Sequence, residues 1–131
     1  MAKRILVVED LELNRKLVRL VLKARGYKVI EAADAEKALA FLENELPDVI
    51  LLDIALPGMS GEELARQIRA NPAWCDIPII ALTAAAMKGD RERILAAGCD
   101  DYISKPLDTH MLAQLVTTYC AEGRPTPGAH K

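Results

Sequence analysis

The sequence predicts an α/β fold built on a five-stranded parallel sheet, and three observations carry that prediction. Five short apolar runs recur along the 131 residues, each followed by a stretch with helical periodicity. The first, third and fourth runs are apolar almost throughout rather than alternating, as in strands covered on both faces by helices. Acids or a lysine stand just past the ends of several runs, where neighbouring parallel strands converge on one crevice.

The predicted strands cover residues 4–8, 27–31, 49–52, 77–82 and 101–103. The second and fifth are more mixed and belong nearer an edge. The first helix, 12–25, carries Leu13, Leu17, Leu20, Val21 and Ala24 as its apolar stripe, with Gly26 as a stop. The second, 35–44, has Ala38, Leu39 and Leu42 behind an Asp34 cap. The third, 61–70, opens on a capping box of Ser60 and Glu63, with Met59 and Leu64 as a hydrophobic staple, and ends at Asn71-Pro72. The fourth, 85–97, is interrupted by Gly89 and ended by Gly98. The fifth, 109–121, carries Met111, Leu112, Leu115, Val116 and Tyr119 behind an Asp108 cap. Five βα units with right-handed crossovers place helices on both faces of the sheet. The common strand order for such a sheet is 2-1-3-4-5. Residues 1–121 read as one domain and 122–131 as a disordered tail.

Composition narrows the function classes. A formal net charge of -2 argues against a nucleic-acid surface, which shows a basic excess. No apolar stretch approaches the ~20 residues that cross a bilayer. The N-terminus runs straight into a strand, leaving no room for a signal peptide, so a cytoplasmic location is expected. Cys75, Cys99 and Cys120 are odd in number and widely spaced, which suits reduced cysteines. Tyr27, Phe41, Trp74 and Tyr119 read as packing residues, and His110 and His130 as surface residues.

The loop after the first strand, Glu9-Asp10-Leu11-Glu12, lacks the glycines that let backbone amides cradle phosphate. Its carboxylates repel bare phosphate but suit a hard divalent cation such as Mg²⁺. Taken alone, Glu9-Asp10 reads equally well as a solvated turn. Asp53 shifts the balance. It ends the most apolar strand, beside the first strand in the order 2-1-3-4-5, and the next helix cap comes only at Ser60. A carboxylate there can act as a nucleophile and carry a phosphoryl group as an acyl phosphate. Glu9, Asp10 and Asp53 sum to -3, and Lys105 brings the site to -2. One divalent cation then makes it neutral, ready to accept an anion. Thr83, at the end of the fourth strand, offers a hydroxyl to a phosphoryl oxygen. Lys105-Pro106 is a candidate cis peptide bond.

The set Glu9-Asp10, Asp53, Thr83, Tyr102 and Lys105-Pro106 resembles the receiver domain of bacterial two-component response regulators. The likeness runs from residue 3 to about 121 and is carried by Val7-Val8-Glu9-Asp10, by Leu51-Leu52-Asp53 through Gly61, by Ala81-Leu82-Thr83-Ala84 and by Tyr102-Ile103-Ser104-Lys105-Pro106. Glu9 through Asn14 and Ala86 through Asp90 are similar to the DivK-type single-domain regulators. The resemblance implies a flavodoxin-like (βα)5 fold and a role for each residue. Asp53 would be the phosphoacceptor. Asp10, Asp53 and the backbone carbonyl of Ala55 would ligate Mg²⁺, with Mn²⁺ able to substitute, and Glu9 would hold the ion through water. Lys105 would pair with the phosphoryl group, and Thr83 and Tyr102 would form the switch. Ala55 stands where the family often has a polar side chain, which bears on the lifetime of the acyl phosphate.

The implied function is phosphorelay signalling. A sensor histidine kinase or histidine phosphotransfer protein would donate the phosphoryl group, and a downstream protein would read the changed surface of a monomer or weak dimer. Two rivals stand beside this. One is a phosphorylation-independent scaffold. The other is a small Mg²⁺-dependent phosphatase of the haloacid dehalogenase type, which Ala55 disfavours because that family places a second acid there. DNA binding has little support without a helix-turn-helix segment.

Overall fold

The computed structural model describes residues 2–84 and 88–124. Along the chain run β1 (Arg4–Val8), α1 (Glu12–Lys23), β2 (Lys28–Ala32), α2 (Ala35–Asn44), β3 (Val49–Asp53), α3 (Gly61–Ala70), β4 (Ile79–Thr83), α4 (Lys88–Ala96), β5 (Asp101–Ser104) and α5 (Thr109–Glu122). All strand pairs are parallel, and the order is β2-β1-β3-β4-β5. The mixed strands β2 and β5 are the edges. Every residue of β3 and β4 is buried.

Strand pleating divides the core in two. Leu6, Val8, Ile50, Leu52, Ile79 and Ala81 pack under α2, α3 and α4, while Ile5, Val7, Leu51, Ile80 and Leu82 pack under α1 and α5. Phe41 and Trp74 support the first layer, and Tyr27 and Tyr119 belong to the second. The caps form as their residue types dictate. Asp34 accepts from Lys37 N, Ser60 from Glu63 N, and Asp108 from His110 N and Met111 N. Gly26 takes φ 89°, the left-handed turn that ends α1.

Several boundaries shift for local reasons. Tyr27 donates its N–H back to Leu22 O, so it closes α1 and β2 begins at Lys28. Ile77 donates to Trp74 O, so it belongs to the preceding turn and β4 begins at Ile79. Residues 85–87 of the expected fourth helix lie outside the described residues. Within the expected tail, Glu122 continues α5, and Arg124 Nε donates to Asp100 Oδ1 at 2.8 Å. Residues 125–131, His130 among them, lie outside the described residues.

The buried face of α1 differs from the expected stripe. Val18 and Leu22 are the buried residues, while Leu13 is 81% exposed and Leu20 56%. The helix carries two apolar stripes one residue step, about 100°, apart around its axis, and the sheet selects the one in register with Asn14 and Val18. Met111 of α5 is likewise exposed, with Leu112, Val116 and Tyr119 turned inward. Cys99 is buried, Cys75 and Cys120 are half-buried, and all three are free. Among the described residues no helix is long and apolar enough to cross a membrane.

Candidate functional site

Strand register assembles the site. Val8 pairs with Leu52, Asp53 with Leu82, and Thr83 with Ser104. Glu9, Asp53, Thr83 and Lys105 therefore form a row along the carboxyl edge of four adjacent strands. Lys105 is held there by its own N–H, which donates to Thr83 O at 2.7 Å. The Lys105–Pro106 peptide bond is cis.

Glu9 is a fully buried acid, not a solvated turn. Its carboxylate sits at the N-terminus of α1, where the helix dipole favours negative charge. The N-cap residue, Leu11, has no capping side chain, so Glu9 takes that role and its Oε2 accepts the Leu11 N–H at 3.2 Å. Its Oε1 accepts Asn14 Nδ2 at 3.1 Å and pairs with Lys105 Nζ at 3.0 Å. Arg15 clamps the same loop, its Nη1 donating to the carbonyls of Glu9 and Asp10 at 2.8 and 3.1 Å. Asp10 itself is exposed.

Asp53 is 2% exposed. Its Oδ1 accepts the Ala55 N–H at 3.0 Å, and its Oδ2 lies 3.2 Å from Lys105 Nζ. With four acceptor positions on a carboxylate, two remain for a metal or an incoming phosphorus. Behind Asp53, the start of α3 comes unusually close. Gly61 N donates to Ile54 O at 3.0 Å, and a Cβ on Gly61 would lie 2.3 Å from Asp53 O. Only glycine permits that approach.

Lys105 bridges two carboxylates. Burial pulls its ammonium toward lower pKa, but hydrogen bonding to Glu9 and attraction from Asp53 outweigh that, and the net shift is upward. Thr83 is 3% exposed at the end of β4. Tyr102 stands two residues before the end of β5, packed on the α2–α3–α4 side of the core, with the Arg91 guanidinium 5.9 Å from its ring centre. Glu9, Asp10, Asp53 and Lys105 are thus brought together, Thr83 borders them, and Tyr102 lies further along the sheet beside α4.

The donor set fits a hard divalent cation. One carboxylate oxygen each from Glu9, Asp10 and Asp53 lies within 4.8 Å of the others, and exposed Asp10 leaves one side open to water. Mg²⁺ favours such all-oxygen sites and keeps several waters.

The single-sequence reading missed Asn14, Arg15 and Gly61. Glycine at the first position of a well-capped helix was the available signal for Gly61. No local signal marks Asn14 or Arg15 as partners of the acidic loop.

A family model for the response regulator receiver domain matches residues 5–117. The polar-differentiation response regulator DivK of Brucella anthropi is 41% identical over 122 residues, covering 93% of this chain and 99% of that protein. Among solved structures, the receiver domain of a sensor histidine kinase from Pseudomonas aeruginosa, which holds a magnesium ion in its active site cleft, superposes with a TM-score of 0.85 at 37% identity, covering 93% of this chain and all of that one. The chemotaxis response regulator CheY4 of Vibrio cholerae gives 0.85 at 28% identity, covering 90% and 98%. Sheet order, acidic crevice and sequence likeness over nearly the whole chain agree: the chain belongs to the response regulator receiver domain family.

Proposed function

We propose that the protein accepts a phosphoryl group on Asp53 from a phosphohistidine of a sensor histidine kinase or histidine phosphotransfer protein. Residues 1–121 form the receiver domain, which works in the cytoplasm as a monomer or weak dimer. The observation that carries this reading is the Lys105 ammonium shared between two buried carboxylates, 3.0 Å from Glu9 and 3.2 Å from Asp53. A cation so placed is ready to meet the oxygens of a phosphoryl group arriving at Asp53.

In the transfer, an Asp53 oxygen forms the new O–P bond as the donor's N–P bond breaks, and the electron pair returns to the imidazole. Lys105 turns toward the equatorial oxygens. Asp10, Asp53 and the Ala55 carbonyl would hold Mg²⁺ directly and Glu9 through water, with Mn²⁺ as a substitute. When bound, the ion supplies charge neutralisation for carboxylates and phosphoryl oxygens alike. The protein has no other turnover than its own phosphorylation and dephosphorylation.

In the phosphorylated state the Thr83 hydroxyl and the Lys105 ammonium gain the phosphoryl oxygens as partners, Lys105 in exchange for part of its hold on Glu9 and Asp53. Two hydrogen bonds to charged groups contribute roughly 3–6 kcal/mol. Inverting a 1:99 population takes about 5.5 kcal/mol. The two quantities are of the same order, so the new contacts, less what Lys105 gives up at Glu9 and Asp53, are of the right size to draw Tyr102 inward and remodel the α4–β5–α5 face that a downstream protein reads.

The test is labelling with acetyl phosphate and Mg²⁺. Wild-type protein becomes phosphorylated and Asp53→Asn does not. Equal labelling of the variant would reject the assignment.

A further inference from the structure

Glu9 presents an unusual arrangement. Its carboxylate is fully buried, and a single oxygen, Oε1, serves both Lys105 Nζ at 3.0 Å and Asn14 Nδ2 at 3.1 Å. Lys105 is also committed elsewhere, to Asp53 Oδ2 at 3.2 Å. Under the function proposed above, Lys105 must swing toward the phosphoryl oxygens and loosen its hold on Glu9. A buried carboxylate stripped of a donor is costly, and that cost would oppose the lysine's movement.

Asn14 removes the opposition. Its amide comes from the first turn of α1, which Arg15 and the Leu11–Glu9 bond tie to the acidic loop. It is neutral, so it leaves the balance of three acids, one lysine and one divalent cation untouched. Its amide donates to the Glu9 oxygen that Lys105 also holds. We infer that Asn14 is a positioning residue for phosphoryl acceptance: by holding Glu9 Oε1, it frees Lys105 to pass from Glu9 to the phosphoryl group. This inference rests on Asp53 being the acceptor.

The role makes Asn14 and Lys105 energetically coupled, which a general structural role does not. Four proteins test it: wild type, Asn14→Leu, Lys105→Met and the double variant. Each is labelled with acetyl phosphate and Mg²⁺, and each is titrated with Mg²⁺ alone by calorimetry. Leucine has nearly the shape of asparagine without its donor. In the Lys105 background, Asn14→Leu slows labelling about tenfold, the loss of roughly one hydrogen bond to a charged group, while Mg²⁺ affinity changes little. In the Lys105→Met background, where no lysine remains to be released, the same substitution leaves the rate nearly unchanged. Asn14→Gln, which keeps an amide donor, recovers most of the lost rate and guards against a folding defect of the leucine variant. Equal slowing in both backgrounds, or no slowing in either, overturns the role of Asn14. Absence of labelling in the wild type, or its persistence in Asp53→Asn, overturns the proposed function instead.

Discussion

Replacing Gly61 with alanine tests whether the start of α3 sets the position of Asp53. The new Cβ would stand 2.3 Å from Asp53 O, 2.7 Å from Ile54 Cα and 3.0 Å from Asp53 C. Cβ contacts below 3.0 Å essentially do not occur, so the two backbones must part by at least 0.7 Å at the carbonyl. All three obstructing atoms are backbone, at the end of a fully buried strand, with no side chain to turn aside. Overpacking of this kind costs about 1–3 kcal/mol, against a gain in helix propensity of at most about 1 kcal/mol. A melting temperature several degrees lower is expected, at roughly 4 °C per kcal/mol for a domain of this size. The larger effect falls on chemistry, because displacing a reacting group by about 1 Å can lower a rate ~100-fold. Acetyl phosphate labelling, measured well below the melting temperature, should slow by at least tenfold, on the order of half that logarithmic range. Gly89→Ala is the control. It lies exposed in α4 with nothing within 4 Å of its would-be Cβ, and it should raise stability by up to about 1 kcal/mol. A Gly61→Ala protein as stable and as readily labelled as wild type would refute the reasoning.

Thr83→Ala should leave labelling by acetyl phosphate largely intact while narrowing the difference in target affinity between phosphorylated and unphosphorylated protein; an undiminished difference in a binding assay would remove Thr83 from the switch. Asp100→Ala acts at the opposite end of the sheet, where Asp100 Oδ2 binds Arg69 Nη2 at 2.8 Å and Ile79 N at 2.9 Å. Losing it takes the counter-charge from a mostly buried arginine, which keeps its bonds to the carbonyls of Gly98, Cys75 and Ile77, and should cost about 3 kcal/mol in urea unfolding, with labelling of the folded protein unaffected. The pH dependence follows from Lys105, whose folded pKa lies above its ordinary value. Its stabilising contribution is fully present below the unfolded lysine pKa of about 10.4 and is lost as pH rises through the higher folded value. The stability difference between wild type and Lys105→Met, measured without divalent metal, should therefore stay flat from neutral pH to that point and shrink above it. A difference that shrinks already below pH ~9 would contradict the upward shift.

Much of this molecule is legible along one dimension. Uninterrupted apolar runs such as Val49–Leu52 declare strands covered on both faces, and the caps Asp34, Ser60 and Asp108 act within three residues of themselves. Candidate acids and the lysine can be located because strand ends are local features and a parallel sheet gathers its carboxyl ends. Tertiary structure decided what depends on neighbours from elsewhere in the chain. Leu13-Leu17-Leu20 and Val18-Leu22 are both helical stripes, and only docking against the sheet chose the second. Glu9 is buried because a lysine 96 residues later and an amide one helical turn away supply its hydrogen bonds. Gly61 is irreplaceable because α3 packs on the backbone of Asp53. Periodicity and capping are written into adjacent residues, whereas burial of a charge and closeness of two backbones arise only when separate elements meet.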